Sequence, residues 1–262
     1  VARFLIDQGA DLDAVSEYGL TPLCLALAQR CSIGLIEHLL DKGSSITVRD
    51  QWGFTPLHRA AKVGNALGAE LLIRRGAEVN ARIDKGHTPL HIAAECKDDI
   101  GLDTAICLIA NGADLRAQTA FGSWPLHTAA VHQGNVRTAT HIADAMVAEG
   151  IELDVRNSRG WTPLHNAACH SSRSITLLVA RGADINARDH QGRTPLMHAV
   201  ARTEEVYNDS LNRNRWHFAD ICLARGADVN ARDSEGKTAL TMAIEKGDVE
   251  AVRILREHGG IE

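Results

Sequence analysis

Aromatic residues are scarce in this chain of 262: four Trp, two Tyr and four Phe, or 4%. A core with so few rings must be packed by Leu, Ile, Val and Ala. Paired cysteines are lacking as well. Cys24, Cys31, Cys96, Cys107, Cys169 and Cys222 form no CxxC and fall mostly in helical stretches, so buried thiols in a reducing, cytoplasmic or nuclear compartment are expected. Neither charge is in large surplus. The net charge is −5, with 12 basic and 15 acidic side chains in residues 1–131 and 16 and 18 in 132–262. With no basic face, nucleic acid and anionic membrane are not expected partners. No apolar run approaches a membrane span and no signal peptide opens the chain, so membrane insertion is not expected either. HExxH, GxSxG and a phosphate-cradling glycine loop are also missing, and with them any sign of an enzyme, a metal or a cofactor.

What the chain does have is one stretch written seven times. Gly53-Phe54-Thr55-Pro56-Leu57-His58-Arg59-Ala60-Ala61 returns as Gly86-His87-Thr88-Pro89-Leu90-His91-Ile92-Ala93-Ala94 and Gly160-Trp161-Thr162-Pro163-Leu164-His165-Asn166-Ala167-Ala168. Looser copies begin at Thr21, Gly122, Thr194 and Thr238. Thr before Pro starts a helix: the hydroxyl caps an orphan N–H, and Pro at the first helical position gives up a donor the helix has no use for. Leu57, Ala60 and Ala61 then form a stripe narrow enough for close helix packing. A second phrase, Gly76-Ala77-Glu78-Val79-Asn80-Ala81-Arg82, recurs from Gly182 and Gly226 and, more loosely, from Gly9, Gly43, Gly112 and Gly150. Each of these glycines is read as a left-handed helix stop.

The spacing between the two phrases is informative. From Gly9, Gly43, Gly76, Gly112, Gly150, Gly182 and Gly226 to the next Thr position (Trp124 in the fourth copy) the distance is always 12 residues. From each Thr position to the following Gly it runs 22, 21, 24, 26, 20, 32 and 21. A hairpin-like finger whose register passes from repeat to repeat tolerates no insertion. A turn between two helices does, at little cost, so the extra residues are expected there. The longest insertion, 203–214, is polar and turn-rich. The second helices are read from the apolar period of Ile36, Leu39 and Leu40; Leu71 and Leu72; Ile106 and Ile109; Ile142 and Met146; Leu177 and Leu178; Phe218 and Ile221; Val252 and Leu255.

A unit of 33 residues from Thr55 to Thr88, with two short helices and Thr-Pro-Leu-His-x-Ala, resembles the ankyrin repeat family over the whole chain. The resemblance implies an all-α fold: an α-solenoid of helix–turn–helix units with β-hairpin fingers. Residues 1–262 would be a single array, with a half repeat at 1–15 and repeats starting near 16, 50, 83, 119, 157, 189 and 233. Neither end reads as a polar cap, so a piece of a longer array is expected. The implied function is a protein-interaction module, monomeric and not an enzyme, presenting a concave surface of fingers and first helices. The alternative is a docking or substrate-recruiting array of a larger multidomain enzyme, effector or channel. Two departures stand out: Trp124 replaces the capping Thr, leaving Ser123 as a substitute cap, and Ala239 replaces Pro.

His58, His91, His127 and His165 hold the motif position, which resembles the family's structural histidine linking neighbouring turns. Cys24, Met197 and Thr241 stand at the same place elsewhere, which rules out a shared ligand role. The aromatics gather on the fingers and vary from one to the next. Tyr18, Trp52, Phe54, Lys85, His87, Phe121, Arg159, Trp161, Gln191 and Arg193 are therefore the candidate partner-binding residues, centred on Trp52 in the fingers of the first five repeats. For Phe54 and Trp161 the competing reading is packing of finger on finger. Asn80, Asn186 and Asn230 resemble the loop asparagine that asparaginyl hydroxylases modify in this family. The competing and preferred reading there is a turn residue bonded to its own backbone.

The fourth repeat should open first, because it lacks the Thr cap and its second helix reads Thr138-Ala139-Thr140-His141-Ile142-Ala143-Asp144-Ala145, poor in large apolar groups. Amide exchange should show weaker protection over 124–150 than over 55–76 and 162–182; equal protection in all three would refute this.

Overall fold

The computed structural model describes residues 1–131, 135–201 and 217–262, with the side chains of Ser172 and His217 left aside. The insertion expected at 203–214 lies outside the described residues. Among the described residues a lone helix α1 (Ala2–Asp7) is followed by seven helix pairs. They are α2 (Pro22–Ala28) with α3 (Ile33–Asp41), α4 (Pro56–Val63) with α5 (Ala66–Arg74), and α6 (Pro89–Ala94) with α7 (Leu102–Ala110). Next come α8 (Pro125–Val131) with α9 (Val136–Ala148), and α10 (Pro163–His170) with α11 (Ser172–Ala180). The last are α12 (Pro195–Ala201) with α13 (His217–Ala224), and α14 (Ala239–Glu245) with α15 (Val249–Glu257). The chain forms two compact units, residues 1–120 and 121–262. In the first, α2, α4 and α6 pack side by side, as do α1, α3, α5 and α7. In the second, α8, α10, α12 and α14 form one row and α9, α11 and α13 another. The fold is all-α, as the resemblance implied.

The recurring stretch builds each first helix as its chemistry requires. The motif leucines Leu23, Leu57, Leu90, Leu126, Leu164, Leu196 and Leu240 are at most 1% exposed, and each burial contributes roughly 2–3 kcal/mol. Thr55 caps α4, and the His58 ring completes the cap, a part that Glu or Gln usually plays. Nδ1 of His58 accepts the Thr55 N–H at 3.3 Å and lies 2.9 Å from the Thr55 hydroxyl. Nε2 faces the carbonyl of His87, on the next finger, at 3.2 Å. The network therefore assigns the proton to Nε2. Thr162 and His165 repeat the arrangement, with Nε2 of His165 at 3.1 Å from the Arg193 carbonyl. His127 takes the N–H of Trp124 at 3.2 Å and reaches the Trp161 carbonyl at 2.8 Å, so the fourth repeat keeps half of its cap without a threonine.

Each second helix stops in a Schellman turn, with its glycine left-handed. After α3, the Gly43 N–H bonds the Leu40 carbonyl at 3.0 Å and Ser44 bonds Leu39 at 3.0 Å, with Gly43 at φ 96°. All seven of these glycines have positive φ, between 67° and 96°. The finger that follows is a hairpin reduced to its turn: no strand is present among the described residues. It closes on two backbone bonds, Asp50 N–H to Phe54 O at 3.1 Å and Gly53 N–H to Asp50 O at 2.9 Å. A carboxylate braces it from inside, Oδ1 of Asp50 accepting the N–H of Trp52 and Phe54 at 2.9 and 3.0 Å. Neighbouring fingers are joined by single backbone bonds, such as Gln51 N–H to Tyr18 O at 3.3 Å and His190 N–H to Arg159 O at 3.3 Å. They lie so close that a Cβ on Gly160, at φ 75°, would sit 2.6 Å from the His190 nitrogen.

Two details correct the expectations. In the third repeat the extra length does sit between the helices, in a 3₁₀ turn at Lys97–Asp99. In the fourth it goes partly into the helix itself, since α9 runs 13 residues where α5, α7 and α11 run nine. The inward face of α7 is also out of phase with the reading, because Leu102, Ala105 and Leu108 are buried while Ile106 is 39% exposed. The Schellman stop sets that phase: Leu108 holds the place of Leu72 relative to its terminating glycine.

Burial holds His58, His127 and His165 down to about 4, against the weaker opposing pull of the carbonyls they reach. The folded state thus prefers the neutral ring, whereas the unfolded chain takes up a proton near 6.5. Their contribution is complete above pH 6.5 and is lost as pH falls towards 4, on the order of 3 kcal/mol for each ring. Urea unfolding at pH 7 and pH 4.5 should show a loss of several kcal/mol, smaller in His58→Gln; an unchanged midpoint would contradict the assignment.

Candidate functional site

The finger residues singled out from the sequence gather into one cluster in each unit. In the first, Tyr18 and Trp52 come from successive fingers and stack with ring centres 6.0 Å apart and planes 13° apart. Both are half exposed, at 48% and 49%. The Arg59 guanidinium lies 4.8 Å from the Trp52 ring centre and 5.0 Å from that of Phe54. Its Nε bonds Oδ2 of the buried Asp50 at 2.6 Å, so the brace of the finger also fixes the cation under the indole. Phe54 itself is 8% exposed and packs on His58 at 5.7 Å, which makes it a packing residue instead of a contact. Lys85 is exposed. His87 is half-buried, 3.3 Å from Glu95, with its ring edge-on to His91.

In the second unit the Trp161 ring lies across His198 at 4.4 Å and beside His165 at 6.4 Å, with Arg159 over it at 5.7 Å. Asp189 braces this finger as Asp50 does its own, accepting the N–H of Gln191 and Arg193 at 2.8 and 2.9 Å. Its other oxygen takes a 2.8 Å bond from His198 Nε2. Burial alone would raise the Asp189 carboxyl, but His198 and the two backbone groups outweigh it and hold it below the usual range. Burial also lowers His198 in spite of the carboxylate. The pair is therefore a neutral imidazole donating to an ionised acid. Gln191 and Arg159 are exposed and Trp161 and Arg193 half-buried. Phe121, 65% exposed, stands on the first finger of this unit.

The asparagines do something the sequence reading missed. Each reaches forward to the next repeat, not to its own backbone. Asn80 donates to the Gly112 carbonyl at 3.0 Å and accepts the Asp114 N–H at 2.8 Å. Asn186 does the same with Gly226 and Asp228 at 3.5 and 2.8 Å, and Asn230 with Gly259 and Ile261 at 3.1 and 2.8 Å. A parallel row of arginines was also missed. Arg49 donates to Gly53 O at 3.0 Å and to the carbonyl of the next such arginine, Arg82, at 2.8 Å. Arg156 and Arg188 repeat this, Arg82 reaches the Gln118 carbonyl at 2.7 Å, and Arg232 donates to Gly236 O at 2.8 Å and to the Glu262 carbonyl at 3.0 Å. The Ala-Arg pair in the repeated phrase was the available signal. Among the described residues no group of three His, Cys, Asp or Glu is placed to hold a metal, and no helix is long and apolar enough to cross a membrane.

In the fourth repeat the asparagine position is Asp154, which accepts the Asp184 N–H at 3.1 Å but has no amide to give the Gly182 carbonyl. Burial, with Asp184 and Glu152 nearby, raises its carboxyl. The raised value means that the charged form costs stability above the folded pKa and that the cost fades as pH falls. Asp154→Asn should remove that cost and add one hydrogen bond, stabilising the chain by about 1 kcal/mol at pH 7 and by less at pH 3.5. A thermal melt at each pH checks this, and a destabilised variant at pH 7 would overturn it.

The ankyrin repeat models match this chain at residues 27–119, 98–189 and 139–209 in the multi-copy form, with a further multi-copy match at 213–256 and a single repeat at 191–234. No curated protein is significantly similar to the chain. With helix pairs, left-handed stops, braced fingers and interlocking histidines recurring in step with those matches, the chain belongs to the ankyrin repeat family.

Proposed function

We infer that the chain recognises a protein partner through its fingers, with the Tyr18–Trp52–Arg59 cluster as the anchor in the first unit. Ankyrin repeats are generally protein–protein interaction modules and typically not enzymes. The observation that carries the finer reading is a half-exposed aromatic stack on successive fingers, held from beneath by an arginine that is itself tied to a buried carboxylate. Rings fixed in this way lose little conformational entropy when covered, and exposed Trp and Tyr are the side chains most often found as anchors. Lys85, His87 and Phe121 supply polar and apolar variation on the other fingers. We read the seven repeats as one array, on the strength of a 12-residue spacing that is the same from Gly112 to Trp124 as elsewhere. A reducing cytoplasmic or nuclear location fits Cys24, Cys96, Cys169 and Cys222, which are buried in helix packing.

Trp52→Ala tests the anchor. Partner affinity should fall by roughly 2 kcal/mol or more, while stability moves by about 1 kcal/mol at most. Titration of a captured partner alongside thermal melts separates the two, and a variant that melts early yet binds normally when folded would reject Trp52 as an anchor.

A further inference from the structure

In the second unit a cleft of about 650 Å³ opens beside Trp161, between the fingers of the fifth and sixth repeats. Arg159, Trp161, His190, Gln191, Arg193 and His198 are among the residues that line it. The two fingers read Arg156-Asn157-Ser158-Arg159-Gly160-Trp161 and Arg188-Asp189-His190-Gln191-Gly192-Arg193, four arginines against one carboxylate in a chain of net charge −5. The next finger, Arg232-Asp233-Ser234-Glu235-Gly236-Lys237, is balanced. The one carboxylate is already in use: Asp189 is 7% exposed and both of its oxygens are occupied by two backbone N–H groups and His198. Its hydrogen-bonding sites are filled, and its negative charge stands alone against the two arginines that line the cleft, Arg159 and Arg193.

Of the four arginines, Arg156 and Arg188 are taken up by backbone carbonyls, whereas Arg159 and Arg193 line the cleft. Arg159 is exposed and, among the described residues, makes no ion pair; its guanidinium rests over the Trp161 ring. Arg193 is ion-paired with the buried Asp233 across 3.5 Å, though its Nε makes no hydrogen bond among the described residues. A cationic cleft with unused guanidinium donors beside an indole face is matched by a carboxylate on a short apolar stem, because Arg binds carboxylates through paired, charge-assisted bonds. We propose that this cleft receives a glutamate or aspartate side chain from a segment of a partner protein, its carboxylate held by Arg159 and Arg193 and its stem laid against Trp161. The assignment rests on the interaction reading above and adds to it the chemistry of one contact.

Phage selection of random dodecapeptides on the full chain tests it, followed by titration of the selected peptides. At least one family should share an acidic residue at a fixed position. Its affinity should fall roughly tenfold or more with Arg159→Gln and with Glu→Gln or Asp→Asn in the peptide, and stay unchanged with Trp52→Ala. Arg159 is exposed, so its variant should melt as the natural chain does; Arg193→Gln is a second test, read only if that variant also melts normally. Selected peptides with no such family, or with an acidic family indifferent to Arg159→Gln, overturn the cleft assignment and leave the interaction module standing. A chain that selects no peptide at all defeats both.

Discussion

The structure depends on a buried imidazole that is kept neutral and has both nitrogens occupied. This ring is the point where local and non-local order meet: Nδ1 finishes the cap of its own helix, and Nε2 reaches the carbonyl of the next finger. A charged ring would lose the first of these bonds, since a protonated Nδ1 accepts nothing. It would also be a cation without solvent. Carboxamides perform the same double service at the far end of the unit, and guanidinium groups between the two. Neighbouring fingers are thus joined by polar bonds, while the helices beneath them pack through Leu, Ile and Ala. That is why so few aromatic side chains suffice.

Much of this is legible in the sequence. Thr-Pro marked the start of five of the seven first helices, the recurring glycines marked the end of each second helix, and the constant interval between them marked the finger as the rigid part. What escaped was anything that depends on two repeats at once. Asn80 looked like a turn residue because its partners, Gly112 and Asp114, are a whole unit away. Ile106 looked buried because spacing alone does not say which of two nearby apolar residues the stop of a helix turns inward. The extra length of the fourth repeat was assigned to a turn because an insertion that merely prolongs a helix leaves no mark in the count.

The candidate contacts divide in the same way. Their position on the fingers followed from the pattern, but their roles did not. Phe54 and Trp52 are two residues apart on one finger, yet the first is covered by His58 and the second is half exposed beside Tyr18. Only the brace from Asp50 to Arg59 explains why the outer ring is held in place at all. The second unit uses the same brace with a different recipient, His198 in place of Arg59.

The forward-reaching bonds have a direction. Side-chain donors of one unit meet backbone carbonyls of the next: Arg156 meets the carbonyl of Arg188, Arg188 that of Arg232, and Asn186 that of Gly226. A carbonyl is the same whatever side chain its residue bears, so the receiving edge is anonymous. Were the fifth repeat cut out at equivalent points, Arg156 would find the Arg232 carbonyl where that of Arg188 had been. Gene duplication or deletion in whole units would then create joints already competent to fold, while the finger tips diverged freely. A chain built on such joints can change its length and its partner independently.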